Sequence, residues 1–302
     1  MSFSLLKRRI YKDNCAKSLM FTLTVLSLFL LVFMGVGLYL KSRMILDEYS
    51  LWTLLSTADW KPLKGSFGFL PFIVGTLAVT ALSILIALPI ALLTALYLSE
   101  YAYSWTKRVV FPVLDILAGI PSVVYGVWGT LIIVPWIADS LGPHFVDYTS
   151  GYTVLASGIV LGVMILPILV SLFIEIFTIV PQDYRDAAAS LGATKWQISS
   201  KVILRKSLPG IIAAIVLAIS KAFGETIAVL MVCGNFAEIP RSLFDPCYPL
   251  PALIANNYGE MLSLPLYESA LMFAAFILFF IILVFNVISR IMLQKIEKSF
   301  KL

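Results

Sequence analysis

The run GSFGFLPFIVGTLAVTALSILIALPIALLTALYLS, Gly65–Ser99, is 35 residues long and contains no Asp, Glu, Lys, Arg or His. About 20 consecutive apolar residues are enough for a helix to cross the hydrocarbon of a bilayer. The rest of the chain repeats the pattern. Ser18–Leu40, Tyr148–Ile174 and Ser269–Ser289 are also uncharged, Val109–Ala138 carries only Asp115, and Leu208–Cys233 carries only Lys221 and Glu225. Six spans follow, the second lying within Gly65–Ser99. The predicted fold class is an all-α polytopic membrane protein with six transmembrane helices.

Composition agrees. Of 302 residues, 60% are hydrophobic and 13% charged, where a soluble domain carries about a quarter charged residues. The net charge of +5 does not point to nucleic acid, because the basic residues sit in short segments between apolar runs, as membrane topology requires. The first apolar stretch is too long for a signal peptide and no A-x-A site follows it, so it reads as a retained span. Cys15, Cys233 and Cys247 are too few and too scattered for a disulfide framework. With His144 as the single histidine, a His-based metal site or a Ser-His-Asp triad within the chain is not expected.

An even number of spans puts both termini on one side. The N-terminal segment, the loop with Lys107 and Arg108, the segment Pro181–Ser207 and the tail after Ser289 together hold sixteen Lys and Arg. The opposite side holds five: Lys41, Arg43, Lys61, Lys64 and Arg241. Short loops rich in Lys and Arg stay cytoplasmic, so both termini are expected on the cytoplasmic side of the membrane. The organisation expected is a cytoplasmic segment 1–17, then a single transmembrane domain 18–302 with a core 68–290 and a cytoplasmic loop 181–206. The outer connection Gly234–Pro265 holds Pro240, Pro246, Pro249, Pro251 and Pro265. It reads either as a rigid packed connector or as a docking surface or gate for a partner. In the third span, Ala118–Gly126 is dense in Gly and Pro, and a bent span at a helix interface is expected.

The segment Pro181–Trp196 (PQDYRDAAASLGATKW) carries the most local information. Pro181 suits a first helical turn and Asp183 a helix start. The alanines through Leu191 favour helix, and Gly192 suits a left-handed residue past its end. A second amphipathic helix with Lys195, Trp196, Lys201 and Val202-Ile203-Leu204 then begins. Taken alone, this helix–turn–helix fits an interfacial hairpin and a docking element for a soluble protein about equally well.

The segment resembles the EAA loop of ATP-binding-cassette importer permeases: Asp186 stands where the family usually has Glu, followed by Ala187, Ala188 and, at the required spacing, Gly192. Arg205 stands where that family often has Pro. The resemblance implies that Asp186, Ala187, Ala188, Gly192, Ala193 and Thr194 seat in a groove of a cytoplasmic ATPase. Three further stretches are similar to phosphate-importer permeases of the PstC type: Gly68–Thr76, Leu117–Gly126 and Gly224–Asn235, the last with Glu225-Thr226-Ile227-Ala228-Val229. The resemblance covers most of 68–235. It implies a permease subunit moving phosphate, paired with a second permease of the PstA type. It also implies a dimer of ATP-binding subunits, which hold the ATP and Mg, and an extracytoplasmic phosphate-binding protein. The chain itself needs no cofactor.

Lys221 is the fourteenth of the 26 residues Leu208–Cys233, near the bilayer midplane, with Glu225 expected one turn on along the same face. A charged lysine facing lipid there is costly. The two therefore face a protein interior or a water-filled path, either as a buried ion pair that only helps assembly or as part of an anion path. Where this chain has Lys221 the PstC type usually has Arg. Ser122, Thr226 and Tyr125 are possible hydrogen-bond donors to an anion, and Asp115 and Glu175 read as helix-end or snorkelling residues. No Gly-x-x-x-x-Gly-Lys-[Ser/Thr] motif is present, so the chain is not the ATPase. Permeases for sulfate, molybdate or phosphonate are the nearest rivals. A gradient-driven transporter, for which internal repeats are expected, is a more distant one, and an intramembrane enzyme lacks catalytic groups.

Overall fold

The structure, a computed structural model, describes residues 3–259 and 264–300, with side chains described over 12–259 and 264–295. The side chains of Lys7, Arg8, Arg9 and Lys298, the whole of Lys301, and residues 260–263 of the Pro-rich connection therefore lie outside the described residues.

The first span is the end of a long helix, α1 (Phe3–Lys41), whose described contacts with the rest of the chain gather near its last turns. There Gly35 lies against Phe279, Tyr39 against Phe276, and Lys41 pairs with Glu268 at 3.3 Å. Two short helices, α2 (Arg43–Glu48) and α3 (Leu51–Ser56), and a small hairpin, β1 (Trp60–Lys61) with β2 (Ser66–Phe67), follow at that end. Trp60 sits there edge-on to Phe67, Phe69 and Phe72.

Helix α4 (Leu70–Glu100) and α7 (Val154–Ile179) form the most extensively packed pair. Lipid is as apolar as Leu, so close backbone approach rather than hydrophobicity holds such helices together. The sequence supplies it: Ala87, Ala91 and Ala95 are buried along α4, while Gly158 and Gly162 let α7 lie against Leu82, Ser83 and Ile86. Helix α14 (Pro265–Phe300) carries the sixth span and packs on α1 and on α11 (Leu208–Phe223).

Among the described residues, five helices are long and apolar enough to cross a membrane, and a bent pair ending in Leu208–Phe223 makes a sixth if it is one span, but two spans are not built as their hydropathy suggested. The third was expected over Val109–Ala138. Instead α5 (Ser104–Gly119) ends, Ile120 and Pro121 are extended, and a new helix starts at α6 (Ser122–Trp128) and runs on through π-helical turns to Leu141. A residue before proline is pushed out of the helical region, so the break falls at Ile120. The length and apolarity of a span belong to Ser122–His144. The fifth was expected to run unbroken to Cys233. Helix α11 (Leu208–Phe223) stops at Phe223, and only a short helix, α12 (Ile227–Leu230), follows. Glu175, expected to close the fourth span, lies inside α7, which continues to Ile179.

The Pro-rich connection is packed. Pro249 and Pro251 begin α13 (Leu250–Asn257). The carbonyls of Asp245 and Leu243 accept from the N–H groups of Val154 and Leu155, at 3.0 and 2.9 Å. They satisfy donors that a helix start otherwise leaves orphaned. The turn before α7 depends on Gly151, whose φ is +78° and where a Cβ would collide with the carbonyl oxygen of Val134. Gly151→Ala is expected to destabilise the protein by about 1–3 kcal/mol, read as a lower thermal midpoint of the detergent-purified chain. An unchanged midpoint would show that the turn relaxes freely.

Candidate functional site

Two regions gather the polar groups that the spans do not need for their own folding. The first is the pair of helix breaks in mid-bundle. Helix α11 ends over Gly224-Glu225-Thr226, and α12 then packs against α6, where Gly126 lies against Ala228 and Met231, and Gly129 against Val232 and Val160. Gly119 has nothing within 4 Å, so only two of the three glycines serve close approach. The broken backbone is partly repaired by side chains. Tyr125 donates across the α5–α6 break to the Leu117 carbonyl at 2.7 Å, and Thr130 donates to the carbonyls of Gly126 and Met231 at 3.0 and 3.2 Å. Tyr125 is thereby committed to the backbone.

Lys221 occupies the last turn of α11, where the helix dipole favours a cation, and its side chain is exposed on this chain. Glu225 lies beyond the helix end, so the one-turn spacing expected for the two does not exist. Lys221 takes part in none of the ion pairs among the described residues. Glu225 instead accepts from the Ala228 N–H at 3.4 Å and lines a narrow gap with Thr76 and Thr80 of α4. Thr226 is half-buried and donates to the Gly224 carbonyl at 3.3 Å. Ser122, also half-buried, is the first residue of α6. Lys221, Thr226 and Ser122 thus sit at the ends of three adjoining helices, with Lys221 the only one of them bearing a charge.

The second region is the loop after α7. Helix α8 (Gln182–Ser190) buries no residue; Pro181 is its N-cap rather than part of its first turn. Gly192, at φ +82°, turns the chain, and the N–H groups of Gly192 and Ala193 close the helix end on the carbonyls of Ala189 and Ala188, at 2.9 and 3.1 Å. Thr194 and Gln197 then form a reciprocal capping box at the start of α9 (Lys195–Gln197), which runs through a π-helical turn into α10 (Leu204–Lys206) and bends by 68° into α11. The expected helix, glycine turn and second helix are all present. Asp186, Ala187, Gly192 and Thr194 are exposed, Ala188 and Ala193 half-buried. Leu191 and Trp196 are 89% and 59% exposed, an apolar display on an otherwise polar ridge.

One side chain of α8 turns inward. Arg185 lays its guanidinium on the Glu100 carboxylate at the end of α4, at 3.1 and 2.8 Å. It also donates to the carbonyls of Phe177 and Val180 at the end of α7, at 3.0 and 2.6 Å. The two side chains are only 15% and 13% exposed. The bond to Glu100 holds the Arg185 proton even more firmly than usual, so this is a permanent cation fastening α8 to both long central helices. It borders a cavity of about 900 Å³ lined also by Lys107, Asp186 and Lys195. Sequence reasoning counted Arg185 only toward orientation and passed over Glu100. The available signal was that Glu100 is the first charge after the uncharged run Gly65–Ser99.

Residues 87–302 match the family described as "Binding-protein-dependent transport system inner membrane component". The phosphate transport system permease protein PstC of Pasteurella multocida is 36% identical over 255 residues, covering 80% of this chain and 79% of that protein. A probable ABC transporter permease of Bacillus subtilis, YqgH, is 38% identical, covering 78% and 77%. Among solved structures, a bacterial alginate ABC transporter superposes with a TM-score of 0.59 at 16% identity, covering 95% of this chain and 98% of that one. The inward-facing MetNI methionine transporter gives 0.54 at 18% identity, covering 78% and 99%. These structural likenesses speak to the fold.

Proposed function

The chain belongs to the inner-membrane components of binding-protein-dependent transport systems, and on that premise we propose that it is the transmembrane permease subunit of an ATP-driven phosphate importer. The observation that carries the substrate is likeness to the PstC permeases along about four-fifths of the chain. The broken spans suit a transport path of whatever substrate, because transporter sites form where helices are interrupted.

In this reading the sixteen-to-five excess of Lys and Arg puts both termini and the loop 181–206 in the cytoplasm. Lys221 faces a path shared with a second permease of the PstA type, so that each chain forms half of it. An ionised lysine that this chain leaves exposed near the midplane cannot lie against lipid without a cost of several kcal/mol. The second subunit or the water of the path covers it. Its ammonium attracts the anion as a point charge, while Ser122 and Thr226 offer hydroxyls at neighbouring helix ends. Glu225 shapes the break and restrains the anion.

Asp186, Ala187, Ala188, Gly192, Ala193 and Thr194 dock in a groove of a cytoplasmic ATPase dimer, which supplies ATP and Mg. Leu191 and Trp196 give that contact its apolar part. Closure of the ATPases pushes α8, and Arg185 passes the push to α4 and α7. An extracytoplasmic binding protein delivers phosphate to the opposite face.

The test is labelled phosphate uptake by a bacterium lacking its own high-affinity phosphate permeases and expressing this chain with its partner subunits. ATP-dependent uptake unaffected by excess sulfate or molybdate is expected. Inhibition by either would move the substrate while leaving the architecture. No uptake by an assembled complex would sink the phosphate reading. In the same assay, Asp186→Ala combined with Gly192→Ala is expected to reduce uptake and ATPase co-purification severalfold, since alanine at φ +82° strains the turn by about 1–2 kcal/mol. Intact co-purification and uptake would remove the docking role from this loop.

A further inference from the structure

Cys233 and Cys247 looked unrelated in the sequence, with thirteen residues between them; the fold corrects that. After α12 the chain reverses through Gly234 and Asn235, both at positive φ (87° and 56°), and Gly234 and Cys247 form a parallel bridge. The Cys247 N–H donates to the Cys233 carbonyl at 2.8 Å. With the fixed bend at the carbonyl carbon, which sets Cα···O at about 2.4 Å, standard geometry limits the Cα–Cα separation to about 6.7 Å, inside the range a disulfide spans. Both thiols are free in the structure, and the Cys233 Sγ–H donates to Asn235 Oδ1 at 3.1 Å. Neither has measurable exposure, and Cys247 packs over Gly75 of α4. The third cysteine, Cys15, lies exposed on α1.

We propose that Cys233 and Cys247 are oxidised to a disulfide on the extracytoplasmic side, closing the outer connection onto the end of the fifth span. The proposal rests on the orientation given above, since disulfides persist in oxidising compartments and are reduced in the cytosol. The oxidant is the disulfide of an extracytoplasmic thiol oxidoreductase. One cysteine, as thiolate, attacks a sulfur of that disulfide to give a mixed disulfide. The second cysteine attacks the first, displacing the oxidant as a dithiol. Two protons and two electrons leave the pair and are gained by the oxidant. Burial of both sulfurs requires the exchange to precede packing of the connection, after which the bond is shielded from reductant. The bond lies behind an outer cavity of about 500 Å³, which the neighbouring residues Gly234 and Pro246 line together with Tyr152, Met231, Asn235 and Phe244. It restricts the unfolded chain, as such cross-links do, and holds the outer mouth in one shape.

The experiment counts thiols. The full chain, expressed with its partner subunits in an aerobically grown bacterium, is quenched with acid, denatured and labelled with a mass-tagged maleimide, with and without prior reduction. One label, on Cys15, is expected without reduction and three with it; Cys15→Ser should show none and two. A parallel sample tests orientation alone: Leu63→Cys, at a position 83% exposed in the connection after the first span, in a background with all three native cysteines changed to Ser. Whole cells are labelled with a membrane-impermeant maleimide. Three labels without reduction, together with an accessible position 63, overturn the disulfide and leave the orientation standing. An inaccessible position 63 overturns the orientation and the disulfide with it.

Discussion

Arg185→Ala is expected to remove most ATP-driven uptake and to lower the thermal midpoint of the assembled complex. The guanidinium makes two hydrogen bonds to Glu100 and two to the last carbonyls of α7. Alanine leaves a largely buried carboxylate unpaired and two helix-end carbonyls unserved. Breaking a buried pair from one side costs on the order of 3–5 kcal/mol, and the residual exposure of 15% and 13% places this pair toward the lower end. The larger consequence is mechanical. No residue of α8 is fully buried, so without Arg185 little besides the chain link Val180-Pro181 couples it to α4 and α7, and ATP hydrolysis should continue with little transport.

Two milder variants separate mechanics from stability. Arg185→Lys keeps the charge but not the planar fork, and should retain part of the uptake. Glu100→Gln keeps a neutral acceptor for the guanidinium and should fold well while loosening the link. The measurement is phosphate moved per ATP hydrolysed, beside the thermal midpoint. If Arg185→Ala kept a wild-type ratio, the pair would be a staple without a part in coupling.

What could be read from the sequence, and what could not, follows the range of each signal. The spans are one-dimensional: an uncharged run such as Gly65–Ser99 declares a membrane helix without reference to the rest of the chain. The loop 181–206 was legible because its parts act locally. Gly192 must take the left-handed region past the helix end, whereas the capping box of Thr194 with Gln197 went unread although its signal is just as local.

The break at Ile120 was half-legible. Pro121 announces a bend, but hydropathy averages straight across it and placed the third span too early. The break after Phe223 has no comparable breaker, since Gly224 also tolerates helix, and the Lys221–Glu225 spacing was read from a periodicity that stops there. Glu100 with Arg185, and Cys233 with Cys247, are invisible to local rules because tertiary packing brings them together. They are also the features that bear on coupling and on the outer mouth.

Lys221 should prove as decisive for transport as Arg185, by a different route. It forms no ion pair and no side-chain hydrogen bond among the described residues and is exposed on this chain, so its removal should leave the fold and the ATPase assembly unchanged. Lys221→Met, similar in length and uncharged, is expected to lower phosphate uptake at least tenfold, equivalent to about 1.4 kcal/mol, at unchanged thermal midpoint. Lys221→Glu should abolish uptake, because a like charge near the midplane repels the anion where screening by water is weakest. Lys221→Arg should retain transport, since the charge survives and a guanidinium can hold an oxyanion with two parallel bonds. Glu225→Gln should be the gentlest change at the site, because the amide oxygen can still accept from the Ala228 N–H. The ordering matters more than any single value. A path that uses the Lys221 charge ranks Arg above Met and Met above Glu. An assembly role filled by the stem of the side chain ranks Met beside the native protein, and that result would move the anion path away from the break in the fifth span.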